Sequence, residues 1–148
     1  MRILGLDLGS KTLGIAISDE TETIATPVQT FTFKENDYNI ALKKVEELIK
    51  KHNINLIVLG YPKNMDNTIG KRAETVQKFK ALIEQNFKIN VILWDERLSS
   101  IQAENILLEH DTSRKKRKKV IDTIAATIIL QEYLDYKKNK SGGSYESR

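Results

Sequence analysis

The amino-acid sequence predicts one α/β domain, a mixed sheet of five strands with an antiparallel first part and parallel strands after it, flanked by about four helices. Three observations carry this. The chain has 148 residues, enough for one domain that buries a core without staples. Its first quarter runs in strand-like apolar patterns with no helical period. From about residue 37 on, amphipathic helical windows alternate with short buried runs, the pattern of parallel strands joined by right-handed crossovers.

Each element has its own signal. Ile3 to Leu8 is an apolar run with Asp7 near its end, stopped by Gly9. Leu13, Ile15 and Ile17 then alternate with Gly14, Ala16 and Ser18, and a turn of about four residues makes the pair a hairpin. Ile24 to Phe33 is rich in Thr, Val and Phe and reads as a third strand, with Pro27 demoting it to an edge. Asp37 is placed to cap a helix whose face is Ala41, Leu42, Val45, Leu48 and Ile49. Asn53 to Asn55 end it, and Leu56 to Leu59 form a buried strand stopped by Gly60 and Pro62. Ile69, Ala73, Val76, Phe79 and Ile83 mark a second helix, and Ile89 to Trp94 a fifth strand. Ser99 and Gln102 match a capping box ahead of a third helix through Ala103, Ile106 and Leu107. A fourth helix spans about Val120 to Tyr136. The domain is thus 1–136, and 137–148, rich in Lys, Ser and Gly, reads as a flexible tail.

Composition narrows the chemistry. There is no cysteine, which excludes a disulfide scaffold, thiolate metal sites and a cysteine nucleophile. His52 and His110 are the only histidines, too few for a His-rich zinc centre, and both sit near helix ends in capping or solvent roles. The apolar N-terminus meets Asp7 too early for a secretory signal. Val120 to Leu134 is too short to span a bilayer and contains Asp122 and Glu132. A soluble, cytoplasmic protein with no membrane partner is expected. The net charge is +4, yet six cations lie in one run, Arg114 to Lys119. Without that run, 18 cations stand against 20 acids, a balance of −2. Basic character this local points to a polyanion at one place on the surface.

Asp7 ends the first strand, and Asp95 and Glu96 follow the fifth. Parallel strands bring these acids to one sheet edge, where ligands of open α/β sheets collect. Asp122 interrupts an almost wholly apolar helix beside Ile121 and Ile124, a costly place for an unpaired acid. If that helix covers the sheet end, the carboxylates converge. Oxygen-only ligands favour Mg²⁺ or Mn²⁺, and two such ions activate water and stabilise the leaving oxygen in phosphodiester hydrolysis. Asp95 would orient a ligand from behind.

The first turn, Gly5 to Thr12, approaches a P-loop but has Ser10 between the second glycine and Lys11, and leads into a strand rather than a helix. Gly9 and Lys11 can still approach a phosphate through a backbone amide and an ammonium. Arg97 presents a planar fork suited to phosphate. Lys71 and Arg72 open the second helix, where cations oppose the dipole; this slightly favours a ligand-facing role, with plain solvent exposure the commoner reading. Trp94 reads as core rather than as a stacking platform.

Four segments now stand together: Gly5-Leu-Asp7-Leu-Gly9-Ser-Lys11, Gly60-Tyr-Pro62-Lys-Asn64-Met-Asp66, Asp95-Glu96-Arg97-Leu-Ser99 and Ile121-Asp122-Thr-Ile-Ala125-Ala126. In order, they resemble the signature blocks of the bacterial Holliday-junction-resolvase-like family, also called pre-16S rRNA nucleases, within the ribonuclease-H-like superfamily. The resemblance covers residues 1–136 and implies a ribonuclease-H-like fold, a five-stranded mixed sheet of order 3-2-1-4-5 with strand 2 antiparallel. It implies metal-dependent nucleolytic cleavage in maturation of the 5′ end of 16S rRNA, or Holliday-junction resolution by the older analogy. The matching catalytic and metal-holding positions are Asp7, Glu96 and Asp122. Asn64, Arg72 and Arg97 fall in or beside matching blocks as substrate contacts. With Lys11 and the run Arg114, Lys115, Lys116 and Arg117, they would grip structured RNA or branched DNA. Asn67 stands where the family often has Gly, and Asn also tolerates the left-handed conformation.

Two other readings remain. An actin-like phosphohydrolase or kinase shares the Asp-x-Gly turn but closes two related domains over its nucleotide, and this chain has room for one. A non-catalytic nucleic-acid module would use the basic run alone. A symmetric junction would suit a homodimer, whereas one RNA end needs only a monomer.

Overall fold

A run of six buried residues, Ile3 to Leu8, makes the first strand the centre of the sheet rather than its margin. The computed structural model describes residues 1–61, 71–95 and 114–142. Within them the elements run β1 (Arg2–Leu8), β2 (Thr12–Ser18), β3 (Ala25–Thr32), α1 (Tyr38–His52), β4 (Ile54–Tyr61), α2 (Lys71–Phe87), β5 (Asn90–Asp95) and α3 (Arg114–Gly142). The sheet order is β3-β2-β1-β4-β5. β1 and β2 pair antiparallel, as do β2 and β3, while β4 is parallel to both β1 and β5. Topology and strand directions match the expectation from sequence.

Alternation along β1 sorts its side chains between two layers. Leu4, Leu6 and Leu8 join Leu59, Ala73, Val76, Phe79 and Ile83 beneath α1 and α2. Ile3 joins Ala16, Val58, Ala126, Ile129 and Leu130 beneath α3. Between them Gly5 lets α3 come close, because a Cβ there would lie 2.7 Å from Leu130 Cβ and 3.1 Å from the Ala126 carbonyl. Ser18, also buried, receives the Ile3 N–H on its Oγ at 2.8 Å, one residue beyond the Leu4–Ile17 pair of the β1–β2 ladder. That bond satisfies a backbone donor at the end of the ladder.

The edges and caps follow from residue chemistry. β3 is the edge strand that Pro27 requires, and most of its residues are exposed. α1 ends at Asn53, which takes the left-handed conformation (φ 55°) and returns its N–H to the Ile49 carbonyl. Asp37 occupies the N-cap position of α1, but its side chain makes no capping hydrogen bond. At the β1–β2 turn the Gly9 N–H donates to the Thr12 carbonyl at 2.7 Å, and a Cβ on Gly9 would sit 2.8 Å from Thr12 Oγ1.

The helix inventory differs from the expectation at the C-terminal end. α3 begins at Arg114 and absorbs the whole basic run, whereas apolar periodicity alone predicts a helix starting near Val120. Lys and Arg are good helix formers, so like charge on successive turns does not stop the helix. The helix also passes the expected domain end at 136 and continues to Gly142, so the first six residues of the supposed tail are helical. Lys137 is half-buried there and pairs with Glu22. The third helix expected near 99–107 and residues 143–148 lie outside the described residues, so three helices are described. No described helix is long and apolar enough to cross a membrane.

Candidate active site

β1, β4 and β5 are parallel, so their carboxyl ends share one edge of the sheet. Asp7 sits there, next after Ile3 and Gly5 on the face that α3 covers. Its row across the sheet runs through Gly14 to Thr30. Thr30 Oγ1 is hydrogen-bonded to Thr123 Oγ1 of α3. The residue before Thr123 is Asp122, so the α3 backbone at Asp122 lies over the end of the sheet that carries Asp7. Its spacing of four and eight residues from Ala126 and Leu130 places position 122 on the helical face that meets the sheet.

On the other side, Leu6 pairs with Leu59 and Gly60 with Trp94, which carries the Asp7 row to β5. Trp94 lies under α3, its ring 5.7 Å from both Tyr133 and Tyr136 and its Nε1–H donated to Glu132 at 3.0 Å. It is packed against α3, as expected of a core residue. Asp95 closes β5 opposite Tyr61 and is exposed. β1 and β5 are separated by one strand, so their ends stand about 10 Å apart.

Asp7 is the one buried carboxylate among the described residues, its side chain 4% exposed. Arg72 reaches it from the first turn of α2, on the opposite face of the sheet. Its Nη2 lies 3.5 Å from Asp7 Oδ1 and donates to the Leu8 carbonyl at 3.0 Å. This answers the dipole mismatch seen in the sequence: the cation at a helix start is directed at a carboxylate and a strand-end carbonyl. The ion pair is long, and Arg72 is half exposed, so it does little to offset the cost of burying Asp7. A buried carboxylate held by one long ion pair has an oxygen of the kind that hard divalent ions take.

Of the predicted site residues, the structure therefore joins Asp7 to Arg72 and sets the backbone of Asp122 at the same sheet edge. Arg114, Lys115, Lys116 and Arg117 occupy the first turns of α3, the helix that carries Asp122. Lys11 is exposed in the β1–β2 turn, where its carbonyl accepts the Phe33 N–H at 3.0 Å. Glu96, Asn64 and Arg97 lie outside the described residues. No cluster of three metal-ligating side chains occurs among the described residues.

A cleft of about 430 Å³ opens beside this edge, on the α1–α2 side, lined by Leu8, Ser10, Asn36, Tyr38, Arg72 and Thr75 together with Gly9 and Val76. Apart from Arg72, sequence reasoning singled out none of its polar residues. Asn36 carries the one available signal, an asparagine in a turn, and it does adopt φ 61°. Nothing local connects it to Ser10, whose carbonyl accepts the Asn36 N–H at 2.7 Å.

The sequence profile of the family described as "RuvX: Holliday junction resolvase" matches residues 1–136. A curated relative from Geobacillus sp. (strain WCH70), named "Putative pre-16S rRNA nuclease", is 52% identical over 137 residues, covering 93% of this chain and 99% of the relative. The protein of the same name from Bacillus subtilis (strain 168) is 51% identical over 135 residues, with 91% and 98% covered. Among solved structures, the Thermus thermophilus RuvC in complex with a Holliday junction substrate superposes with a TM-score of 0.60 over 94% of this chain and 96% of that one, at 11% identity. That likeness is one of fold, the ribonuclease-H-like fold of the resolvases.

Proposed function

The chain belongs to the RuvX Holliday junction resolvase family, and on that premise we propose that it hydrolyses phosphodiester bonds at the 5′ end of the 16S rRNA precursor. Membership in a family of nucleases makes it a hydrolase of nucleic acid. The observation that carries the reading is the buried Asp7 at the carboxyl end of the central strand, beneath the α3 face that bears position 122.

Asp7, Glu96 and Asp122 are the residues that would hold Mg²⁺ or Mn²⁺, two ions in the simplest scheme, which when bound supply water activation and charge stabilisation on the leaving oxygen. The remaining roles fall to the chain's own groups. Arg72, a half-exposed fork at the edge, holds a substrate phosphate against Asp7. Arg97, Asn64 and Lys11 extend that grip. Arg114, Lys115, Lys116 and Arg117 place positive charge along the same helix as Asp122, so the polyanion is drawn to the acids that cut it. Asp95 orients a neighbouring ligand. An rRNA precursor as substrate implies work in the bacterial cytoplasm, and cutting one RNA end asks for no symmetric dimer.

The family description and the RuvC complex support a second reading, resolution of four-way DNA junctions, which needs a homodimer to cut symmetric strands. The test is cleavage of a 5′-extended 16S precursor and of a four-way DNA junction, each with Mg²⁺ or Mn²⁺, beside light-scattering mass. Asp7→Asn is expected to slow cleavage about 100-fold or more while leaving binding intact. Parent-like cleavage by that variant would sink the mechanism.

A further inference from the structure

We propose that the cleft beside Asp7 seats one unpaired base of the strand being cut, next to the phosphodiester held at the acids. This deepens the nuclease reading and rests on it. Position comes first. Asp7 and Leu8 are consecutive, with Cα atoms about 3.8 Å apart, and their side chains take opposite faces of the sheet. Arg72 touches both, through Asp7 Oδ1 and the Leu8 carbonyl. A strand whose phosphate lies at Asp7 therefore has the cleft within reach of the adjoining nucleotide.

The lining matches a base. Leu8 and Val76 form a buried apolar floor, and Tyr38 adds an aromatic wall. Ser10, Asn36 and Thr75 bring side-chain donors and acceptors to the rim. One cation and no acid belong to the described lining, which suits a ligand carrying a phosphate. The volume is that of a small-ligand site. Only a base outside a duplex stack can enter such a space, where an aromatic face and polar edges are the usual means of recognition.

The walls are also held in place before any ligand arrives. The Asn36 N–H to the Ser10 carbonyl and the Phe33 N–H to the Lys11 carbonyl tie the β3–α1 loop to the β1–β2 turn. Tyr38 donates its hydroxyl to Asn36 Oδ1 at 3.2 Å, and its ring meets Phe33 edge-on at 6.0 Å. Preorganised walls spare the ligand the cost of ordering them.

The test uses fluorescein-labelled hexauridylate and an abasic hexamer of the same backbone, titrated with the full chain in EDTA and followed by anisotropy. The parent is expected to prefer the base-bearing strand by about 5-fold or more. Thr75→Phe, which fills the cleft from α2, should bind both hexamers alike. Asn36→Ala, an exposed amide, should lower the preference and carries the test if Thr75→Phe does not fold. Equal binding of both hexamers by the parent, or an unchanged preference in the variants, would overturn the proposal. Displacement of the hexamer by an equal concentration of uridine monophosphate would overturn the assignment to a strand. None of these readouts needs cleavage, so failure of the nuclease reading shows separately, as an inactive parent.

Discussion

Replacing Gly5 by alanine tests the link between the packing of α3 and the chemistry at Asp7. The added Cβ would meet Leu130 Cβ at 2.7 Å and the Ala126 carbonyl at 3.1 Å, and neither atom belongs to the movable end of a side chain. Ordinary contact needs roughly 1 Å more, so α3 must back away from β1. Overpacking of this kind costs about 1–3 kcal/mol, and the lower entropy of the unfolded alanine chain returns a fraction of that. The net loss is about 1–2 kcal/mol, a fall in Tm of roughly 2–8 °C for a chain of this size. Activity should fall further than stability. α3 carries Asp122, and a displacement near 1 Å in a catalytic constellation can cost on the order of 100-fold in rate. Urea unfolding followed by circular dichroism, beside precursor cleavage at a temperature where the variant is folded, reads both effects. Leu130→Ala in the Gly5→Ala background keeps the offending Cβ and should rescue neither. A Gly5→Ala protein with parental Tm and parental rate would refute the placement of α3 on β1 as the device that sets the site.

Arg72→Lys keeps the charge but loses the fork that spans Asp7 and the Leu8 carbonyl, and KM for the precursor should rise about 10-fold. Replacing all six cations of 114–119 by Gln should flatten the log–log salt dependence of duplex binding by roughly 5, and an unchanged slope would remove the run from the binding surface. Asp19 accepts the backbone N–H groups of Ile24 and Thr23 and the Thr21 hydroxyl, which hold its carboxyl well below the ordinary range. The folded state thus binds fewer protons there than the unfolded one. The stability lost in Asp19→Ala should be full at neutral pH and vanish as pH falls below about 4 and through the lowered value, as read by urea midpoints across pH.

The elements and their order were legible because burial repeats locally. Period-two runs around Ile15 and period-3.6 faces such as Ala41, Val45 and Leu48 each declare which side meets the core. Pro27 announced the edge, since a missing N–H cannot serve a central ladder. Asp7 stood out as an acid inside a buried strand. The start of α3 did not, because six like charges imitate a solvated loop, and only their joining to a helix packed on the sheet reveals them as its first turns. Lys137 likewise looks like tail until Glu22, 115 residues earlier, comes beside it.

Sequence by itself determined the order of strands and helices along the chain, the acid at the end of β1 and the six-cation run that carries the net positive charge. Tertiary structure alone decided who meets Asp7: Arg72 from the far face of the sheet, Thr123 pinned to Thr30 in its row, and Asn36 folded back onto Ser10. The physical reason is range. Periodicity and propensity act over a few residues, whereas these contacts join segments 26 to 93 residues apart, brought together only when strand register and helix packing set every distance at once.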